Sequence, residues 1–406
     1  MLPDKVTCLV VALVIVSVIG KHKDPDYGRN TPELILSRGF DYQEYDIETA
    51  DGYLLKTFRI INERINETKM TVLLVHGLLS SSRDFVIAES SGHVSEGTRT
   101  VGGNMGFELA KRGYDVWLLN SRGSTYSQNH TKYPTNHKVN RDSRFWDFSH
   151  EEMAEYDVPA AVDFVLAATE QKRLAYIGHS RGNMMMFAAM TMFPELNQQI
   201  RPFIALSPIS TTKVISRLIF NPVLQSLFVD TGSLNYPVFQ VDSVPDPLKK
   251  AICSIDNGIL CASFLRLLSG DSVDCFNGSR MPVIASGIPA GTSIKDFRLF
   301  NQGSITGRFS YYDYGPIKNL MVYGRVVAPE FELDRITNDQ IYLLRGRADI
   351  LASKQDEDRL QRRLGGRVRK VMEIAYPGWG HMAMLYGREL GRYVVTPVLQ
   401  ILDQYV

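Results

Sequence analysis

Three side-chain types in this chain of 406 residues could together perform acyl transfer: a hydroxyl, an imidazole and a carboxylate. The hydroxyl is Ser180, set in Gly178-His179-Ser180-Arg181-Gly182, a G-x-S-x-G run. The apolar stretch Leu174-Ala175-Tyr176-Ile177 precedes it and reads as a buried strand; Asn183-Met184-Met185-Met186-Phe187-Ala188-Ala189-Met190 follows and reads as a helix. A serine squeezed between strand and helix sits on a sharp turn that pushes its hydroxyl out at the top of a sheet, and the flanking glycines leave room for that turn. The positive end of the helix favours negative charge nearby, which suits a nucleophile.

Such a serine needs a base, and the base needs an orienting carboxylate. In the α/β-hydrolase plan the chain order is serine, acid, histidine, with acid and histidine on loops after later strands. Of eight histidines, His381 alone follows Ser180 in the chain. His22, His93, His130, His137 and His150 lie in polar or helix-start segments, His76 at a strand end, and His179 in the serine turn itself. Asp349 is the favoured acid, because it follows the strand-like run 340–345 and Gly346. Asp334 precedes that strand, and Asp356 falls in the next helix. A third requirement is a pair of N–H groups for the negative oxygen of a tetrahedral intermediate. The strand Met70 to Val75 ends in His76-Gly77-Leu78-Leu79, so the N–H of Leu78 is one candidate and that of Arg181 the other.

The elements that must position these groups follow from the apolar pattern. Short continuous apolar runs at 70–75, 114–119, 174–177, 200–206, 340–345 and 371–376 imply a mostly parallel sheet buried on both faces. Helical spacing between them, as in Glu151 to Leu166 and Gln355 to Leu364, gives an α/β fold. Near the N-terminus Thr31 reads as the cap of a short helix with Pro32 in its first turn. The runs 42–49 and 53–60 read as a hairpin turning at Ala50-Asp51-Gly52. Residues 125–147 read as a polar loop, and Gly391 to Tyr405 as one last helix, kinked at Pro397. The alternation stops between about 210 and 335. A structureless loop of that length is foreign to a compact domain, so residues 210–335 read as an inserted cap or lid, with 21–209 and 336–406 forming the core.

Composition removes several classes. Lys plus Arg is 45 and Asp plus Glu 44, so there is no excess of positive charge to suggest a nucleic-acid partner or a polybasic anchor. No Cys/His spacing suits zinc, and no metal is expected. The apolar run Val6 to Ile19, ending near Gly20, reads as a signal peptide over residues 1–20 and sends the chain into the secretory pathway. The sequons at Asn66, Asn129 and Asn277 are glycosylation candidates consistent with that route. Beyond the signal remain Cys253, Cys261 and Cys275; Cys253 with Cys261 is the candidate disulfide on proximity, with one thiol left over.

The chain resembles the acid lipases, the gastric and lysosomal acid lipase family of α/β-hydrolases, from about Pro32 to its end. The resemblance rests on Asp51-Gly52-Tyr53-Leu54-Leu55, His76-Gly77-Leu78-Leu79, Gly113-Tyr114-Asp115-Val116-Trp117, Asn120-Ser121-Arg122-Gly123 and Phe145-Trp146-Asp147-Phe148-Ser149. It continues through Tyr176-Ile177-Gly178-His179-Ser180, Pro289-Ala290-Gly291-Thr292-Ser293, Tyr312-Asp313-Tyr314-Gly315 and Asp349-Ile350-Leu351-Ala352. It implies cofactor-free hydrolysis of neutral lipid esters, triacylglycerols or sterol esters, at a lipid–water interface, in a secreted or lysosomal setting. It also implies a disulfide between two cap cysteines, which Cys253 and Cys261 match with a shifted spacing. Two departures concern the site: Arg181 stands where the family has Gln, and Gly380-His381-Met382-Ala383 replaces Asn-His-Leu-Asp. Two alternatives stay open: a lid-bearing lipid-binding protein with weak or no catalysis, and a hydrolase of small soluble esters. The sequence leaves the oligomeric state open.

Overall fold

A computed structural model describes residues 24–96, 101–136, 138–211, 235–240 and 245–406. The expected signal peptide and the stretch of the expected cap that follows residue 211 lie outside the described residues. The strands are β1 (Asp41–Glu48), β2 (Tyr53–Ile61), β3 (Thr71–Val75), β4 (Asp115–Leu119), β5 (Asn129–His130), β6 (Leu174–His179), β7 (Ile200–Leu206), β8 (Pro237–Val238), β9 (Thr292–Ser293), β10 (Ile341–Arg345) and β11 (Val368–Glu373). Nine form one sheet in the order β1-β2-β4-β3-β6-β7-β10-β11, with β5 beside β2; β8 and β9 pair separately. From β4 to β11 all neighbours are parallel, while β1, β2 and β5 join antiparallel.

The sheet is buried on both faces because its inner strands are apolar on both. Val72, Leu74, Val116, Leu118, Ala175 and Ile177 pack into one core layer. Their neighbours Leu73, Val75, Trp117, Leu119, Leu174 and Tyr176 pack into the other. Helices α1 (Thr31–Ser37), α2 (Met105–Lys111), α3 (Val158–Thr169), α4 (Arg181–Met192), α5 (Asp246–Ser254), α6 (Ile259–Ser269), α7 (Ile294–Thr306), α8 (Pro316–Tyr323), α9 (Lys354–Leu364) and α10 (Thr396–Leu402) complete the main elements. Those from α5 to α8 fall between β7 and β10, where the sequence loses its strand–helix alternation.

The structure revises several local expectations. The cap of α1 is Asn30, not Thr31. Glu33 stands three residues after Asn30, so side chain and backbone exchange bonds at 2.9 and 2.8 Å. The Thr31 hydroxyl bonds Ser82 instead. Residues 125–147 are not merely a polar loop: β5 adds to the sheet there, and Phe145 and Trp146 are fully buried. The last helix is continuous but not uniform, and it ends as a helix at Leu402. A π turn at Gly391–Val395 runs directly into α10 with helical backbone at Val395 and Thr396, and Pro397 falls just after that wider turn. A second π turn, Met153–Asp157, precedes α3.

Asp157, at the end of that turn, meets Arg122 at 2.6 Å; Arg122 also reaches Asp51 in the β1–β2 turn at 2.6 Å and lies 3.8 Å over the Tyr53 ring. One buried guanidinium therefore ties the hairpin, the β4 loop and the start of α3 together. Removing it strands the Asp157 carboxylate in the core. Arg122→Ala should lower unfolding free energy by about 3–5 kcal/mol, read as a fall in the urea midpoint. A loss under about 1 kcal/mol would mean that the network does not fix this corner.

Candidate active site

Ser180 occupies the turn between β6 and α4 with φ 54° and ψ −115°, a backbone state rare for any residue with a side chain. Its N–H is held by the Leu206 carbonyl at 3.1 Å. The flanking glycines are demanded by proximity. A Cβ on Gly182 would stand 2.6 Å from the Val75 carbonyl oxygen, and one on Gly178 would stand 2.4 Å from Asn183 Oδ1. The Asn183 amide in turn donates to the Leu206 carbonyl at 2.7 Å, and the Tyr176 hydroxyl donates to the Gly182 carbonyl at 2.8 Å. The first turn of α4 is thereby sewn to β6 and β7.

Asp349 follows the end of β10 and His381 follows β11. The structure brings them together, with His381 Nδ1 lying 2.9 Å from Asp349 Oδ2 and 3.1 Å from Oδ1. Asp349 Oδ1 also accepts the N–H groups of Leu351 and Ala352 at 2.9 and 2.7 Å, which fixes the carboxylate plane. Burial pushes this carboxyl upward. The positive charge and hydrogen bond of His381, with the Ala352 N–H, outweigh burial and hold it below the usual carboxylate range. The base loop touches the serine turn through His179. Its Nε2 donates to the His381 carbonyl at 3.1 Å, and the two rings lie 4.8 Å apart. Burial, followed by the charge on His381, pushes His179 down to about 3, so it stays neutral.

Across the turn lies the loop after β3. A Cβ on Gly77 would stand 2.9 Å from His179 Nδ1 and 3.1 Å from Ser180 Cβ, so the chain passes against the nucleophile just before Leu78. His76 sets this loop. Its Nε2 accepts the Ser121 N–H at 3.1 Å, which leaves the proton on Nδ1 to be donated to the Gly77 carbonyl at 2.9 Å. Because a trans peptide carries its C=O and N–H on opposite sides, anchoring the Gly77 carbonyl turns the Leu78 N–H away from His76. Burial first, then the Arg181 cation, pushes His76 down to about 3 and keeps it neutral.

Arg181 shows what the sequence could not. Its side chain is fully buried, and its Nη1 lies 2.7 Å from Asp296 Oδ2 and 3.1 Å from Thr292 Oγ1. Asp296 also accepts the backbone N–H and ring Nδ1 of His150, both at 2.9 Å. Burial opposes this carboxylate, but Arg181 and His150 hold it down to about 2. The cation beside the nucleophile is therefore neutralised within the site. Asp296, Thr292 and His150 escaped the sequence reading. Pro289-Ala290-Gly291-Thr292-Ser293 is part of the family resemblance, yet nothing in its pattern names Arg181 as its partner. Elsewhere, Cys253 and Cys261 form a disulfide and Cys275 is a buried free thiol. Asn66, Asn129 and Asn277 are all exposed.

A serine on a strand–helix turn, with an aspartate–histidine pair brought near it from the ends of later parallel strands, is the arrangement of an α/β-hydrolase. Family models agree: residues 31–89 match a partial alpha/beta-hydrolase lipase region, and residues 71–226 match the alpha/beta hydrolase fold. The soluble variant of monoglyceride lipase from Saccharomyces cerevisiae shares the fold at TM-score 0.51 and 13% identity, over 90% of this chain and 96% of that one. Gastric triacylglycerol lipase of Bos taurus is 31% identical over 94% of this chain and 93% of its own length; the Homo sapiens protein of the same name is 31% identical over 94% and 92%. A Crotalus adamanteus protein named "Putative lysosomal acid lipase/cholesteryl ester hydrolase" is 32% identical over 94% and 92%. The chain belongs to the acid lipase family of α/β-hydrolases.

The buried Arg181–Asp296 pair carries a stability prediction. A carboxyl depressed in the folded state contributes stability that is present above its unfolded value near 4 and is lost as pH falls toward 2. In Arg181→Gln the Asp296 carboxylate loses its cation, and the folded protein then takes up a proton on Asp296 more readily. The variant should unfold about 3 kcal/mol more easily at pH 7, with the deficit shrinking as pH is lowered toward 4, measured by urea unfolding at each pH. A deficit that grows on acidification would show that the pair is not what Arg181 supplies.

Proposed function

We propose that this chain hydrolyses carboxylic esters of neutral lipids, triacylglycerols or sterol esters, through an acyl-enzyme on Ser180. The carrying observation is the juxtaposition of the strained Ser180 turn with the His381–Asp349 pair, within a chain similar along its length to gastric triacylglycerol lipases. In this reading His381 takes the Ser180 proton as the hydroxyl attacks the ester carbonyl, and Asp349 holds the imidazole and balances its charge. The N–H groups of Leu78 and Arg181 receive the tetrahedral oxyanion. His381 then protonates the departing alcohol, and water repeats the cycle on the acyl-enzyme. No step calls for a cofactor.

Residues 210–335 are proposed as the cap over this site. Several of their side chains suit contact with a lipid–water interface: Leu267, Ile317 and Met321 are 73%, 76% and 80% exposed, an unusual cost for a surface that meets only water. The gastric and lysosomal names of the relatives, with the apolar N-terminal run and exposed sequons, support a secreted or lysosomal destination.

A fluorophosphonate should label the wild type and leave Ser180→Ala unlabelled. Asp349→Asn and His381→Ala should each lose roughly 10³–10⁴ in kcat. Emulsified triolein or cholesteryl oleate should be turned over in preference to p-nitrophenyl acetate. A folded protein that takes no label would favour a lipid-binding role without catalysis; turnover of the soluble ester alone would overturn the lipid assignment.

A further inference from the structure

The base loop Pro377 to Ala383 holds an unusual number of backbone donors around one carboxylate, and that carboxylate comes from outside the core strands. Asp271 follows the C-terminus of α6 and is fully buried. Its Oδ1 accepts the Gly380 N–H at 2.7 Å and the Ala383 N–H at 3.0 Å; its Oδ2 accepts the Met382 N–H at 2.9 Å and the Ser269 hydroxyl at 2.6 Å. Three N–H groups on both sides of His381 thus converge on a single side chain. The adjoining backbone joins in. The Ser269 carbonyl receives the His381 N–H at 3.4 Å, and the Gly378 carbonyl receives the Ser272 N–H at 2.8 Å.

This packing dictates the glycines. A Cβ on Gly380 would stand 2.7 Å from Asp271 N and 2.8 Å from its carboxyl carbon, and one on Gly378 would stand 2.4 Å from Ser272 Cβ. The same segment also presses on the acid loop. Gly270 adopts φ +82°, and a Cβ there would lie 2.1 Å from the Ala348 carbonyl oxygen, next to Asp349. Gly380-His381-Met382-Ala383, where the resemblance leads one to expect Asn-His-Leu-Asp, is thus a loop with small residues at its first and last positions, folded around an acid supplied from elsewhere.

We propose that Asp271 is a positioning residue of the active site, a clamp that fixes the loop carrying His381 so that its imidazole faces Ser180. The proposal rests on the triad reading above. It acts through geometry: a carboxylate bonded to three N–H groups leaves the loop one low-energy arrangement, whereas a methyl group in its place frees all three donors in a buried site. It also acts through charge. The ionisable groups that feel this carboxylate are Asp349 on the acid loop and Cys275, on which Asp274 and Arg388 act in turn, and His381 stands on the loop it holds. Burial pushes Asp271 up to about 6, against its four donors. Above that pH it places a negative charge at the foot of the loop that carries His381.

The test takes the full chain with Asp271→Ala, Asp271→Asn and Gly380→Ala, each compared with wild type for thermal unfolding, fluorophosphonate labelling of Ser180 and the pH profile of kcat/KM on a soluble short-chain ester. Asp271→Ala should lower kcat about 10²-fold with KM little changed, because the misplaced base slows chemistry and not binding. Asp271→Asn keeps one acceptor oxygen and should lose about tenfold. Its acid limb should move to lower pH, since removing a nearby negative charge makes His381 easier to deprotonate. A merely structural residue would lower the unfolding temperature without moving that limb. Gly380→Ala keeps the carboxylate but forces it away, so it should slow labelling even if Asp271→Ala does not fold. The clamp is overturned if folded Asp271 variants retain kcat within about twofold and an unmoved acid limb. Failure of wild type to label is a separate outcome that removes the triad reading itself.

Discussion

A single strained peptide unit organises the molecule. Ser180 is held at φ 54° and ψ −115°, which costs on the order of 1–3 kcal/mol and would relax unless its surroundings forbade it. They do so from three strands at once. The Leu206 carbonyl at the end of β7 takes the Ser180 N–H and the Asn183 amide. Tyr176 of β6 reaches forward to the Gly182 carbonyl, and the end of β3 leaves no room for a side chain at Gly182. That arrangement requires β3, β6 and β7 to be adjacent and parallel, with their C-terminal ends together. Once this is true, the loops after β3, β10 and β11 open at the same edge, where Gly77, Asp349 and His381 are found.

Around this edge the chain relies on buried ions in place of an all-apolar seam. Asp26 is fully buried and meets both Arg38 and Arg280; burial raises its carboxyl, but the two guanidinium groups hold it below the usual range. Arg83 reaches the Val283 carbonyl at 2.9 Å, and Arg181 reaches Asp296 at 2.7 Å. Arg280, Arg83 and Arg181 each join the core to the segment between β7 and β10, while Arg38 holds Asp26 from within the N-terminal part of the chain. Buried pairs of this kind contribute little net stability against an apolar replacement, yet losing one partner is costly. They therefore select one docking geometry among many apolar ones, which a catalytic edge needs more than it needs extra stability.

The core was legible because its signals are local. A strand buried on both faces reads as an unbroken apolar run, and Leu174 to Ile177 or Ile341 to Leu344 need nothing from the rest of the chain to be recognised. The triad candidates were legible because a nucleophile turn and chain order are sequence properties. Asn30 was missed as a cap because Thr31-Pro32 matches a helix start almost as well, and only the reciprocal bond with Glu33 decides. Asp296 and Asp271 were invisible for a different reason. Their partners lie 115 and about 110 positions away, and an aspartate in a loop carries no local mark of what it will accept. Gly380 and Ala383 did register as departures, and their cause became visible only when the carboxylate between them was located.

These long-range contacts constrain how the site can admit a substrate. Among the described residues, two of the places where the segment between β7 and β10 is anchored lie beside Ser180, Asp349 and His381. Residues 269–272 bond the loops of Asp349 and His381, and Thr292 with Asp296 bonds Arg181 beside the nucleophile. A rigid swing of the whole segment would break both sets and leave Asp296 and Asp271 with unmet charge in an apolar setting. It would also release the loop that carries His381. A movement of this segment that kept the site intact would leave these two anchors in place and involve parts tied down less tightly. α8 is one such part. It buries a single residue, Asn319, and turns Ile317, Leu320 and Met321 outward. The segment thus carries two kinds of surface: turns bonded to the loops of Asp349 and His381, and an apolar face on α8 that packs against little of the described chain.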